Sequence, residues 1–267
     1  MSANTNNIAR RIAPLFGFST ERMLECMTAL QQGKSDAFYE ELASLEEENI
    51  GDPLGKGEFG VVMAHKTDVN RAFKLMYTNP CLLMGMMEAF IQAVLCTEPI
   101  IGASICKLFR VYQSPKGLAI EIERLPYTLE NYIKETTKKN GMSKMRELMN
   151  GILKEIEDVI RLLQERFKFQ HNDLAFRNIM VKDNHIKLID FAFSRMIVDG
   201  KLYTIEKKMD VDTELNFRRL KRDTLRYVPP EDSDSSGSDN SNQEGGRRRR
   251  RTIKKRSKKS KKSRRRI

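Results

Sequence analysis

The stretch FKFQHNDLAFRNIMVKDNHIKLIDFAFSR, residues 167–195, constrains the fold of this chain more than any other segment. It sets Asp173 five residues before Asn178, and Asp190 twelve residues after it, behind a helical pattern and around two short apolar segments, NIMV and IKLIDF, that flank a KDNH turn. A carboxylate, an amide and a second carboxylate at loop–strand junctions meet in one cleft only if helix, loop and hairpin keep one geometry. The stretch also comes late, since 72 of the 267 residues follow Arg195. Whatever it completes must close within little chain.

The pattern around it predicts an α+β fold. Ser19 or Thr20 caps a helix over ERMLECMTALQQ with Gly33 past its end, and Ser35 caps a second over DAFYEELASLEEEN. These Glu-rich, apolar-striped helices form an extension, residues 1–48, that packs on the main body. From Ile50 the period shifts towards two, with VVMAHK and RAFKLM as strands after a glycine-rich turn. An apolar helix over 82–96 follows, then a hairpin turning at Pro115 to Gly117. From Ser143 a long amphipathic helix spaces Met145, Leu148, Met149, Ile152, Ile156, Val159 and Leu163 at threes and fours. A last helix is expected between Glu206 and Arg226, with Val211, Leu215 and Leu220 apolar. The main body is thus placed at 49–228, followed by an acidic Ser/Gly-rich linker at 229–246 and a basic tail at 247–267, both expected to be disordered.

Charge separates the tail from the body. Of the net +12, residues 247–267 hold 15 Lys or Arg and no acid, which leaves 12 minus 15, a net −3, for residues 1–246. Such an arm condenses on polyanions, and nucleic acid is the expected partner. With about ten of its charges on duplex DNA, log K would fall against log salt with a slope of about −9. A nuclear-import signal, a solvated tail, and an autoinhibitory pairing with the acidic linker are the alternatives. Ser236 with Asp239, and Ser241 with Glu244, resemble acid-directed phosphorylation sites that would strengthen that pairing. No membrane partner is expected, because the longest apolar run, CLLMGMMEAFIQAVL, contains Glu88 and Gln92 and falls short of the roughly 18 residues of a span. The start lacks a signal-peptide core, and Cys26, Cys81, Cys96 and Cys106 show no CxxC spacing. They read as reduced thiols of a protein that is not secreted.

The chemistry starts at LGKGEFGVV, where Gly55, Gly57 and Gly60 stand in G-x-G-x-x-G order ahead of Val62. Alone this is weak, since any tight hairpin can look the same. Its place between two strands argues against a dinucleotide site. A hairpin tip without side chains can instead fold over a triphosphate and offer backbone N–H groups. Lys74, fourteen residues after Gly60, lies in an apolar strand, and Glu88 on the next helix could hold its ammonium against phosphates. Transfer of a γ-phosphoryl group needs a carboxylate to accept the attacking hydroxyl's proton, and oxygen ligands to hold Mg²⁺ across the phosphates. Asp173 suits the first role, Asn178 and Asp190 the second.

Taken in order, these elements resemble the eukaryotic-type protein kinase superfamily over residues 50–195. GKGEFGVV resembles its glycine-rich loop, AFK its strand lysine, Glu88 its helix glutamate, HNDLAFRN its catalytic loop and DFA its metal-binding DFG motif. The resemblance implies a bilobal fold, with a β-rich N-lobe and an abbreviated helical C-lobe, that transfers phosphate from ATP with Mg²⁺ to protein hydroxyls, serine or threonine before tyrosine. It implies Leu54, Gly55, Gly57, Gly60, Val62 and Lys74 around the nucleotide, with Glu123 to Leu125 offering backbone groups to adenine. Asp173 becomes the base, Lys74, Glu88 and Arg177 its catalytic partners, and Asn178 and Asp190 the metal ligands. His171 is structural in such loops.

Four departures carry expectations of their own. Asn172 replaces the arginine that pairs with an activation-loop phosphate, which implies activity without that phosphorylation. Ala175 stands where serine/threonine kinases place lysine, and Arg177 could supply the missing charge. Ala192 replaces the glycine of DFG without removing Asp190. No A-P-E motif follows Asp190. So trimmed a chain resembles the compact protein kinases of large DNA viruses, which would place it in host cytoplasm, nucleus or virion. The other function classes are a small-molecule phosphotransferase of the choline or aminoglycoside kinase type, and a catalytically dead binding module.

Overall fold

A computed structural model describes residues 2–77 and 82–205 together with Arg218, Leu220 and Arg222. The chain divides into two units, Met1–Pro230 and Glu231–Ile267. The second lies outside the described residues, as do the expected linker, Cys81, and the expected helix near 206–226 apart from those three residues.

The period-two region forms β1 (Ile50–Lys56), β2 (Gly60–His65), β3 (Arg71–Tyr77), β4 (Leu108–Ser114) and β5 (Gly117–Glu123), one antiparallel sheet in the order β1-β2-β3-β5-β4. Alternation in β3 gives each face its contents. Phe73 and Leu75 pack with Leu45 and Ala119 in a small outer cluster, while Ala72 and Lys74 turn to the cleft side. Register sets Val62 opposite Lys74, and Lys74 opposite Ile120.

Two differences from expectation lie before the sheet. An unforeseen helix, α1 (Ala3–Phe16), begins at Ser2, whose side chain accepts from the Thr5 N–H, and ends at Gly17 with φ 71°. Its Ile8, Ile12 and Phe16, at steps of four, enter the main core. Helix α2 (Thr20–Gln31) follows with the expected Ser19 cap. The next helix stops after one turn, α3 (Asp36–Tyr39). Past it the chain is captured by the open edge of β4: Leu45 N–H donates to the Gln113 carbonyl at 2.8 Å, and Gln113 N–H to the Ala43 carbonyl at 2.9 Å. Edge pairing outcompetes helix propensity there.

Helix α4 (Leu82–Cys96) is buried all round from Gly85 to Leu95, as its nearly continuous apolar sequence requires. One side meets the sheet, and α1, α2 and α3 pack against it elsewhere. Past β6 (Tyr127–Thr128) runs α5 (Leu129–Phe167), capped by Thr128 and interrupted at Gly141, where φ 78° and ψ 172° are not helical. Its later half buries Met145, Met149, Ile152, Ile156, Val159 and Leu163, while Leu148 is only partly covered. Strands β7 (Ile179–Lys182) and β8 (His185–Leu188) join β6 in a small sheet. Asp183 and Asn184, both at positive φ, turn between them. A second hairpin, β9 (Met196–Val198) and β10 (Lys201–Tyr203), follows directly. The result is an α+β fold with a β-rich N-terminal part and a helical part. Among the described residues no helix is long and apolar enough to cross a membrane.

Candidate active site

Lys74 joins three elements. From β3 its Nζ donates to Glu88 Oε1 on α4 at 2.5 Å, and to Asp190 Oδ1 just past β8 at 2.9 Å. Close packing allows the first contact: a Cβ on Gly85, one turn before Glu88, would meet Leu118 and Met76 side chains at 3.1 and 3.3 Å. Burial opposes charge on each of the three groups and pushes the Glu88 carboxyl up. For Lys74 the two carboxylates outweigh desolvation and raise its pKa. For Asp190 the charge and hydrogen bond of Lys74 outweigh burial and lower it. The cluster is therefore an ammonium between carboxylates, since a neutral amine would leave Asp190 without a close counterion.

The loop from Phe169 to Asn178 presents the other polar groups. His171 is buried and its pKa is lowered by desolvation; as the neutral ring its Nε2–H donates to the Ile189 carbonyl at 3.1 Å. It braces the loop against the segment between β8 and Asp190. Arg177 Nη2 spans both oxygens of Asp173, at 2.5 and 2.7 Å. Asn178 Nδ2 donates to Asp173 Oδ2 and to its carbonyl, both at 2.8 Å. The Asp173 carboxylate is thus fixed in orientation, and Asn178 keeps its amide oxygen for another partner. Asn172 and Asp190 sit at φ 63° and 64°, a left-handed conformation that Asn and Asp tolerate better than other side chains and that clusters at functional sites.

All the residues singled out from sequence, namely Leu54, Gly55, Gly57, Gly60, Val62, Lys74, Glu88, Glu123, Leu125, Asp173, Arg177, Asn178 and Asp190, border one cleft of about 980 Å³. The glycines divide the work. A Cβ on Gly55 would meet nothing within 4 Å and one on Gly57 only the Gly60 carbonyl at 3.9 Å, so both leave open space. A Cβ on Gly60 would lie 2.1 Å from the Leu75 carbonyl, so Gly60 is there for the close approach of β2 to β3. At the far end Glu123 N–H is taken by the Lys107 carbonyl at 2.9 Å, and its own carbonyl accepts a weak thiol contact from Cys106 at 3.6 Å. The Glu123 side chain pairs with Lys182 at 2.7 Å and Lys187 at 3.3 Å, tying this crossover to the β7–β8 hairpin.

Sequence reasoning missed several cleft residues. Ala72 and Met180 bring apolar surface from opposite sides of the cleft. Each stands two positions along a strand path from a polar residue already singled out, Lys74 or Asn178, and period two would have found both. Phe59, at the tip of the glycine turn, meets Phe193 edge-on with ring centroids 5.5 Å apart. No spacing rule signals that contact. Among the described residues no group of three or more His, Cys, Asp or Glu could hold a metal ion. A divalent cation here would rely on Asp190, the Asn178 amide oxygen and oxygens brought by a nucleotide, a donor set suited to Mg²⁺.

A β-rich part joined to a helical part, with an apolar slot at one end of the cleft and a lysine–carboxylate cluster at the other, defines a nucleotide-dependent phosphotransferase. Residues 49–237 match the family model of the protein kinase domain, well over half of the chain. The chain belongs to the protein kinase family, and so to the enzymes that use ATP, typically with Mg²⁺, to phosphorylate proteins. Comparison with curated proteins returns no match.

Proposed function

We propose that this chain is a protein kinase that acts on serine or threonine hydroxyls, with Asp173 as the base. The observation that carries the proposal is the Lys74 bridge to Glu88 and Asp190, because it aligns sheet, α4 and the start of the DFA segment in one connected arrangement. Lys74 binds and orients the nucleotide phosphates, and Glu88 holds the ammonium in place. Asp190 and the Asn178 oxygen hold Mg²⁺, which would offset charge on the transferring group. Asp173 accepts the proton of the acceptor hydroxyl at Oδ, while Arg177 holds that carboxylate and supplies positive charge where Ala175 supplies none. The Gly57 N–H is taken by the Gly60 carbonyl at 2.9 Å, so the glycine turn covers the phosphates by the open space it leaves at Gly55 and Gly57. Leu54, Val62, Ala72 and Met180 enclose the base, and the backbone from Glu123 to Leu125 pairs with its edge.

The basic residues 247–267 serve nucleic-acid binding or nuclear targeting in this proposal. The HND loop at residues 171–173 supports a likeness to kinases of large DNA viruses, with host cytoplasm, nucleus or virion as the place of action. The test is incubation with labelled ATP and Mg²⁺ beside basic proteins, acidic proteins and small amino alcohols. Label on serine and threonine of a protein, reduced about 10²- to 10⁴-fold in Asp173→Ala, is the expected result. Label on amino alcohols alone, or on tyrosine alone, overturns it.

A further inference from the structure

Residues outside the cleft hold α4 where it is. Glu88 and Phe90 are two positions apart, about 200° around the helix, so while Glu88 faces Lys74 the Phe90 ring points nearly the opposite way. There it packs on Tyr203 of β10, with ring centroids 4.6 Å apart. Helix α4 is therefore held between the sheet and the hairpin that follows Asp190. The hairpin is itself anchored. At its tip, Asp199 accepts hydrogen bonds from Ser2 Oγ, from Thr5 Oγ1 and, at 2.9 Å, from Asn4 Nδ2. Those three side chains stand at the start of α1, where helix N–H groups also favour a carboxylate. Midway along α1, Arg11 pairs with Glu98 at 3.3 Å, and Glu98 also pairs with Arg166 near the end of α5. Helix α1 thus grips the hairpin at one end and the junction of α4 with α5 further along.

We infer that Asp199 is a positioning residue for phosphoryl transfer: by fastening the β9–β10 hairpin to α1 it presses Tyr203 on Phe90 and holds Glu88 against Lys74. The inference rests on the protein-kinase reading of the cleft. It makes the amino-terminal helix a built-in activator, in the place where a separate partner or a phosphorylated loop would otherwise hold such a helix. Asp199 is exposed and lies outside the cleft, so its replacement tests position without removing a group that touches nucleotide.

The experiment uses the full chain as wild type, Asp199→Ala, Thr5→Val and the double variant. Three quantities are read: kcat and KM for ATP with a histone acceptor, amide exchange over residues 82–96, and the unfolding midpoint. The expected result is a kcat about fivefold lower in Asp199→Ala and a smaller loss in Thr5→Val, which leaves the Ser2 and Asn4 bonds, with KM for ATP within about twofold and faster exchange in α4. The double variant is no worse than Asp199→Ala alone, because that change already removes the Thr5 bond together with those from Ser2 and Asn4. Exchange in α4 unchanged from wild type overturns the inference, as does a loss of activity that follows only the fraction unfolded. If wild type transfers no phosphate, the kinase reading fails, and the exchange measurement decides the positioning role by itself.

Discussion

Asn172 Nδ2 donates to the Phe193 carbonyl at 2.8 Å, so the loop that carries Asp173 is tied directly to the segment that follows Asp190. Three further bonds reinforce it: Gln170 and Arg195 exchange backbone hydrogen bonds, both at 2.9 Å, and Ser194 Oγ donates to the His171 carbonyl at 3.2 Å. A short amide here does by direct contact what an arginine does through a phosphate. Phosphatase treatment is therefore expected to leave kinase activity unchanged, whereas Asn172→Ala lowers kcat about threefold to tenfold. Steady-state assays before and after dephosphorylation check both.

Replacing Lys74 tests the buried cluster. Lys74→Met leaves Glu88, whose side chain is 1% exposed, without its counterion, which costs about 3–5 kcal/mol at neutral pH. Removing Lys74, which favours its charge more than the Phe191 backbone hydrogen bond does, pushes the Glu88 pKa, already raised by burial, further up. A raised carboxyl pKa makes folding more favourable as pH falls, so the deficit shrinks on acidification. Lys74→Met/Glu88→Leu is expected to be more stable than Lys74→Met alone. Urea unfolding at two pH values separates these outcomes.

The glycines of the turn should fail in different ways. Gly60→Ala forces β2 from β3 and lowers stability by about 1–3 kcal/mol, given the 2.1 Å approach to the Leu75 carbonyl. Gly57→Ala keeps the wild-type unfolding midpoint and weakens ATP binding. Thermal melts and nucleotide titration on the two proteins distinguish a structural glycine from one that leaves room.

Acid should release the hairpin. Hydrogen bonds from Ser2, Thr5 and Asn4 lower the Asp199 pKa from 3.8 to about 2. A depressed carboxyl pKa stabilises the fold above the unfolded value and ceases to do so as pH falls through the folded one. The stability gap between wild type and Asp199→Asn is thus expected to be constant above about pH 5 and to close between 3.8 and about 2. Unfolding midpoints across that range measure it.

The cleft was legible because its chemistry is written in fixed spacings. Asp173, Asn178 and Asp190 lie within one short stretch, and local geometry carries them to one place. What surrounds the cleft was less legible. Helix α1 offered a Ser2 cap, a terminal Gly17 and apolar steps of four, yet its Pro14 and polar start mask the pattern. The Asp199–Gly200 pair, both at positive φ, is a strong hairpin signal between apolar runs, but the contact it makes spans nearly the whole described chain. The helix expected from Asp36 to Asn49 failed for a related reason: the edge of β4 that captures Ala43 and Leu45 lies far along the sequence. Local propensity could not see it.

The enclosure of α4 from Gly85 to Leu95 also bears on inhibitor design. Some ligands gain selectivity by wedging behind the lysine–glutamate pair and pushing the helix outward. Here such a wedge would have to displace α1, α2, α3 and the Tyr203 ring together. Compounds for this enzyme should instead compete in the slot between Ala72 and Met180, where the buried Cys106 and the paired Glu123 give the rear wall a chemistry of its own.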